Sequence, residues 1–193
     1  MRRVLDRFMD LDFRKAVWIA PLVWALHEAE EWNVFAWGKA HFADPGYFSE
    51  IDQPVAWVGL SLVALAGVLW TCLTAWPKNP KFAAFLTVPF FVFFAFGNAL
   101  QHIYYAFFFR GYNPGVVTAV LLVGPVVIGL TVKAVRGRLL PLWFVAILYV
   151  LTTPSMVVTI RALDQAPPQI PPNIQSLHRI ALPLARLILG RDD

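Results

Sequence analysis

Five apolar stretches of about 20 residues each constrain this chain more than any other feature. They run over about 16–37, 54–76, 82–109, 115–133 and 139–160, and short polar links join them. In a bilayer such a segment forms an α-helix, because a helix satisfies every backbone N–H and C=O within itself. The predicted fold class is therefore all-α: an integral membrane bundle of about five transmembrane helices with a C-terminal amphipathic helix. Residues 1–165 make up the bundle, and 166–193 a proline-rich link and the amphipathic helix.

Composition agrees. Of the 193 residues, 59% are hydrophobic and 15% charged, and the mean hydropathy is +0.61. A soluble domain is nearer 45–50% apolar and about 25% charged, so a soluble enzyme and a disordered chain are both excluded. The net charge of +4 does not point to nucleic acid, because the basic residues flank the apolar runs. The N-terminus, 77–81 and 133–138 are basic, whereas 38–53 and 161–174 are acidic or balanced. The positive-inside rule then places the N-terminus in the cytoplasm and the C-terminus outside, in a membrane expected to be the bacterial inner membrane. The single cysteine, Cys72, excludes an internal disulfide and a Cys-rich zinc site, and is expected to be a buried apolar filler. Pro21, Pro89, Pro125 and Pro154 fall within spans and are expected to kink them.

Against this background the polar residues inside the spans stand out. An ionisable group at the bilayer centre costs about 2.5–3.5 kcal/mol on insertion scales. The first span nevertheless carries His27-Glu28-Ala29-Glu30-Glu31. At about 100° per residue, Glu30 and Glu31 fall roughly −60° and +40° from His27, and these residues share one face. Glu28 lies at roughly +100°, on the margin, facing another helix or the headgroups. The third span carries Asn98, Gln101, His102 and Tyr105 on one face of a helix otherwise built of Phe, Ala and Leu. A third set is Tyr112 and Asn113, with Thr118 about one turn into the fourth span. The alternation of spans puts all three sets in the outer half of the bundle, where they can meet.

Neutral imidazoles and carboxylates are ligands for divalent transition ions, and two histidines with one carboxylate suit Zn²⁺, Fe²⁺ or Mn²⁺. His27, Glu31 and His102 are the expected ligands. Glu30 or Glu31 would transfer protons, Asn98 and Tyr105 would orient ligands or stabilise developing charge, and Tyr112, Asn113 and Thr118 would position substrate. The same residues could work without metal as an acid–base cluster, as a proton relay in a transporter, or as a purely structural lock between helices. Metal-assisted hydrolysis or transfer, or isomerisation or cyclisation of a lipid- or isoprenoid-like molecule, is the leading expectation. The segment 85–96, rich in phenylalanine, faces lipid or walls an apolar cavity for that molecule. Trp18, Trp32, Trp37, Trp57, Trp76 and Trp143 lie near span ends, as in an interfacial belt.

Three motifs stand in order on these spans: H-x-x-E-E at 27–31, N-x-x-x-H at 98–102 and G-x-x-P-G at 111–115. In this combination the chain resembles the HXXEE-domain family of small multi-span membrane proteins. The resemblance covers most of the chain from about residue 16 to the fifth span. It implies a membrane location and a functional cluster at the motif residues, and it leaves the reaction open. The pattern assigns no oligomeric state and no protein partner.

Overall fold

The structure is a computed structural model and describes residues 8–43 and 51–190, the side chains of 173–178 excepted. It is all-α, with no strand among the described residues. The first apolar stretch is a broken helical track: α1 (Phe13–Ala16), α2 (Ile19–Glu30), a 3₁₀ turn (Glu31–Asn33) and α3 (Val34–His41). Four further helices are long and apolar enough to cross a membrane: α4 (Gln53–Ala75) and the tracks Pro80–Phe108, Val116–Arg136 and Leu142–Leu163. The track Pro80–Phe108 comprises α5 (Pro80–Phe91), a π turn (Val92–Phe96) and α6 (Gly97–Phe108). The track Val116–Arg136 comprises α7 (Val116–Thr118), a second π turn (Ala119–Val123) and α8 (Gly124–Arg136). α9 is Leu142–Leu163, and α10 (Pro172–Ile188) follows the proline-rich link.

The caps explain where these helices begin. Asp52 accepts from the Val55 N–H with Pro54 in the first turn of α4, and Asn79 accepts from Lys81 N–H before Pro80 opens α5. Each π turn lies beside a proline, Pro89 upstream of the first and Pro125 just after the second. A proline removes a ladder donor, and the extra residue of a π turn re-aims everything that follows it. These re-aimed segments are the ones that carry Asn98 and His102 and that follow Thr118. Pro154 stays inside α9 without such a break.

The bundle interior is filled by small and branched side chains. Ala83, Ala84, Val92, Ala99, Ala119, Val123, Leu130 and Ala134 are almost completely buried. Large apolar side chains instead point outwards, among them Leu22, Leu69, Leu73, Phe85, Leu121 and Val150. This inversion suits a chain whose surround is lipid, where close helix packing depends on small residues. Gly67 lies under the Trp24 ring, so a Cβ there would come within 3.3 Å of it. Trp18, Trp32, Trp57, Trp76 and Trp143 are exposed, as a belt requires. Trp37 is half-buried and stacks on His41 at 4.3 Å between ring centroids. Cys72 also differs from expectation: it lies on the exposed face of α4, because the buried face of that helix is taken by Gly67, Thr71, Thr74 and Ala75.

The ends of the bundle differ. At one end Arg14 Nε donates to the Ala75 carbonyl at 2.8 Å, and Lys133 Nζ donates to the Phe8 and Met9 carbonyls at 3.1 and 2.7 Å. This gathers the described part of the N-terminus, the 76–80 link and the end of α8. At the other end Gln53 Nε2 donates to the Trp32 carbonyl, and Ala43 N–H donates to the Pro168 carbonyl at 2.8 Å. The acidic residues at 44–50 lie outside the described residues. α10 does not stand apart from the bundle. Leu182 and Ala185 pack on α4 near Val55 and Ala56, Ala181 is buried at the cavity, and the helix continues through Pro183.

Candidate metal centre

His27 is on α2, one turn before the helix tightens into the 3₁₀ turn at Glu31. His102 is on α6, across the bundle, and the two rings meet edge to face with centroids 5.0 Å apart. Glu31 lies between them. Its Oε1 is 2.5 Å from His102 Nε2 and 3.5 Å from His27 Nε2. All three side chains are buried, and their potential ligand atoms lie within 4.8 Å of one another. The sequence-predicted ligand set is thus assembled in space from two separate spans.

The surrounding residues fix which ring nitrogen faces inwards. Asn113 Nδ2 donates to the His102 carbonyl at 2.9 Å, which turns its Oδ1 towards His102 Nδ1 at 2.9 Å. An amide oxygen only accepts, so His102 Nδ1 carries a hydrogen. Thr118 Oγ1 lies 2.6 Å from Glu30 Oε2 and 3.2 Å from the Gly115 carbonyl, and both of these accept its hydrogen. The lone pair of the same hydroxyl is left for His27, whose Nδ1 donates to it at 2.7 Å. Both imidazoles therefore set Nδ1 against an outer oxygen; Nε2 of His102 meets Glu31, and Nε2 of His27 is shared between Asn98 and Glu31. Metal-binding histidines are oriented in this way, with the second nitrogen donating to an oxygen outside the ligand set. Asn98 occupies the remaining side of His27, with Oδ1 2.6 Å from Nε2.

Glu30 has a different position from Glu31. It accepts from Val117 N–H at 3.1 Å, Thr118 N–H at 2.7 Å, the Thr118 hydroxyl and the Tyr112 hydroxyl at 3.2 Å. It caps the first turn of the Val116–Arg136 helix, where an anion also meets the positive end of the helix dipole. Tyr112 is exposed, and partial burial of its hydroxyl, with the Glu30 carboxylate beside it, holds its phenol above the usual range. Tyr112, Asn113 and Thr118 do not border the cavity beside the site; they secure Glu30, His102 and His27.

Gly115 brings the spans this close. Its φ is +95°, which an L side chain adopts only with strain, and a Cβ there would lie 2.7 Å from His102 Cε1 and 3.0 Å from Glu31 Cγ. The G-x-x-P-G segment thus supplies both the turn and the space for the ligand side chains.

Beside the centre lies a cavity of about 300 Å³. Glu31, His102 and Asn98 open onto it, and Trp24, Trp37 and Phe94 are among its apolar walls. The phenylalanine-rich segment serves both uses: Phe93 and Phe94 line the cavity, while Phe85 is exposed on the outer surface. Tyr105 also lines it, as does Glu28. Glu28 is 6% exposed, so of the two positions read from the helical wheel it takes the one facing other helices and not the one at the headgroups. The wheel places residues around one axis but does not reveal that α4 and α10 close over that side. Sequence reasoning also missed Thr159 on α9, which accepts from Gln101 Nε2 at 2.7 Å; an isolated threonine in an apolar span gives no signal.

Fold and site together define an integral membrane helical protein with a buried His/Glu cluster able to hold a metal ion. The chain belongs to the family described as a protein of unknown function with HXXEE motif, whose sequence profile matches residues 18–130, more than half of the chain. That match takes in all three motifs and stops within α8. No curated protein and no solved structure matches the chain.

Proposed function

We propose that this protein is an integral membrane metalloenzyme that acts on a hydrophobic, lipid- or isoprenoid-like molecule reaching the cavity from the bilayer. The observation that carries the reading is the convergence of His27, Glu31 and His102, three buried side chains from two spans whose potential ligand atoms lie within 4.8 Å of one another. The distances suit a small divalent ion. Bonds of about 2.0–2.1 Å at a tetrahedral angle set ligand atoms roughly 3.3 Å apart. The His27–Glu31 separation of 3.5 Å is already close to that, and the His102–Glu31 pair at 2.5 Å needs only a small side-chain rotation. Three protein ligands leave a fourth position for water or substrate, the usual form of a catalytic site. A bound ion would supply Lewis acidity and a water of lowered pKa. The protein itself contributes ligand orientation through Asn113 and Thr118, and exclusion of bulk water through the aromatic walls. The basic end of the bundle supports an N-terminus on the cytoplasmic side of the bacterial inner membrane, with the site in the outer half.

One observation favours a second reading. The close contact between His102 Nε2 and Glu31 Oε1 is an imidazole–carboxylate pair, suited to passing a proton to a substrate without metal. Metal analysis by mass spectrometry on detergent-purified protein decides between them, with His27→Ala and His102→Ala alongside. About one transition ion per chain, lost in both variants while they remain folded, is the expected result. Folded wild type that carries no metal and takes up none on addition overturns the metal reading in favour of the acid–base pair.

A further inference from the structure

The metal ligands are not the only polar groups in the cavity. Glu28, Gln101 and Tyr105 also line it, and they are 6%, 3% and 7% exposed. Gln101 donates Nε2 to Thr159, whose own hydroxyl hydrogen goes to the Ser155 carbonyl at 2.9 Å. The amide orientation is thereby fixed, and its oxygen is left without a partner. The Tyr105 hydroxyl and the Glu28 carboxyl have no hydrogen-bond partner among the described residues. Among the described residues only Trp70 Nε1 is a fully buried polar side-chain atom without a partner. Glu28, Gln101 and Tyr105 instead turn free hydrogen-bonding capacity towards the cavity, and the three converge on one space. Glu28 does not belong to the group of ligand atoms within 4.8 Å formed by His27, Glu31 and His102, so its unused capacity is not explained by ion binding. The cavity therefore has a ligand end and a separate hydrogen-bonding set, joined by walls of Trp24, Phe35, Trp37, Phe42, Phe93 and Phe94.

We infer that the cavity binds an apolar molecule bearing a hydroxyl group, and that Glu28, Gln101 and Tyr105 recognise that hydroxyl. The inference rests on the proposal that the cavity is the substrate site of a metal centre. A hydroxyl both donates and accepts at one point. It gives its hydrogen to Glu28 or the Gln101 oxygen and accepts from Tyr105. A ketone or ester carbonyl only accepts and would leave the Gln101 oxygen unmatched. An ammonium would share the cavity with a divalent ion, and like charges repel strongly in a site this dry. The apolar walls accept the hydrocarbon part by ordinary burial.

The test uses the full chain in phosphatidylcholine vesicles, with a diazirine-tagged long-chain alkanol as the probe and peptide mapping of the label. Unlabelled alkanol, the alkane of equal length and the corresponding alkylamine serve as competitors. Labelling is expected on the cavity-lining segments of 24–42, and alkanol is expected to compete about fivefold better than alkane, the worth of one net hydrogen bond. Glu28→Gln and Tyr105→Phe each remove a group with little change of shape, and each is expected to reduce that preference severalfold while metal content stays at the wild-type level. If Glu28→Gln does not fold, Tyr105→Phe carries the test. Equal competition by alkane, stronger competition by the amine, or a preference unchanged in a folded variant overturns the inference. Metal content measured on the same samples separates the two proposals. Bound metal with no preference for alkanol sinks the recognition set alone. Preference for alkanol in metal-free protein supports the recognition set and sinks the metal reading alone.

Discussion

Gly115→Ala is the most informative single substitution, because two separate costs arise at one methyl group. At φ +95° an L residue is in left-handed territory, which costs about 1–2 kcal/mol. The added Cβ would also stand 2.7 Å from His102 Cε1 and 2.9 Å from His102 Nδ1. Overpacking of this kind costs about 1–3 kcal/mol, and neither atom is the far end of a flexible chain. The sum is about 2–5 kcal/mol, a large part of the stability of any small protein. Gly111→Ala is the control, since its Cβ would meet nothing nearer than the Phe109 carbonyl at 3.7 Å. Reversible unfolding in mixed detergent micelles measures both variants, and the His102→Ala background separates the terms. Removing the ring abolishes the clash with His102 but leaves the backbone strain and the 3.0 Å approach to Glu31 Cγ, so Gly115→Ala should cost less in that background, by up to about 1–3 kcal/mol. Equal cost in the two backgrounds would refute the claim that Gly115 is required by the close approach of His102. A cost no greater than that of Gly111→Ala would refute both terms.

The outer acceptors should govern metal affinity more than stability. Asn113→Ala and Thr118→Val each free one Nδ1, and a competitive chelator titration should show affinity down about 10–100-fold; unchanged affinity in both would mean that the histidines are oriented by packing alone. Lys133→Met should act in the opposite sense. It removes the bonds to the Phe8 and Met9 carbonyls at the far end of the bundle, so it should lower the melting temperature while leaving metal content at the wild-type level. Loss of metal in folded Lys133→Met protein would show that the two ends are coupled.

The spans were legible because the length and apolarity of a membrane helix are set by the bilayer. The expected runs 54–76 and 115–133 correspond to Gln53–Ala75 and Val116–Arg136, apart from a frayed residue or so at most ends. The cluster was legible for a related reason. An imidazole or carboxylate inside an apolar span must find a partner, so His27, Glu31 and His102 announce each other through cost alone. What the sequence concealed depends on how helices lean on one another. A helical projection sets Glu30 and Glu28 on nearly opposite sides of the helix but does not show what each side meets: Glu30 is tied to the first turn of another helix and Glu28 faces the cavity. Trp37 sits at a span end like its neighbours, but turns inwards because Tyr105 and Phe109 offer it aromatic faces at 5.9 and 5.2 Å. α10 reads as a helix for the membrane surface, and only the groove along α4 shows where Leu182 and Ala185 are buried.

Two of the interruptions in helical geometry, at Glu31–Asn33 and Val92–Phe96, explain why the site lies where it does. A regular α-helix from Pro80 to Phe108 would repeat one face through its whole length, and a lipid-facing Phe stripe would continue into the polar one. The π turn at Val92–Phe96 breaks that repeat just before Asn98, so Phe85 faces outwards and His102 faces inwards on the same track. On the first track the 3₁₀ turn begins at Glu31 itself, which tightens the helix there and directs the carboxylate towards His102. Irregular backbone at membrane depth is tolerated only where it is buried in protein or borders a cavity. Here the irregular turns adjoin the residues that hold the cluster. Straightening either one should separate His102 from Glu31 before it unfolds the bundle, since the core packing of Ala83, Ala84, Val127 and Leu130 lies on the other side of the break.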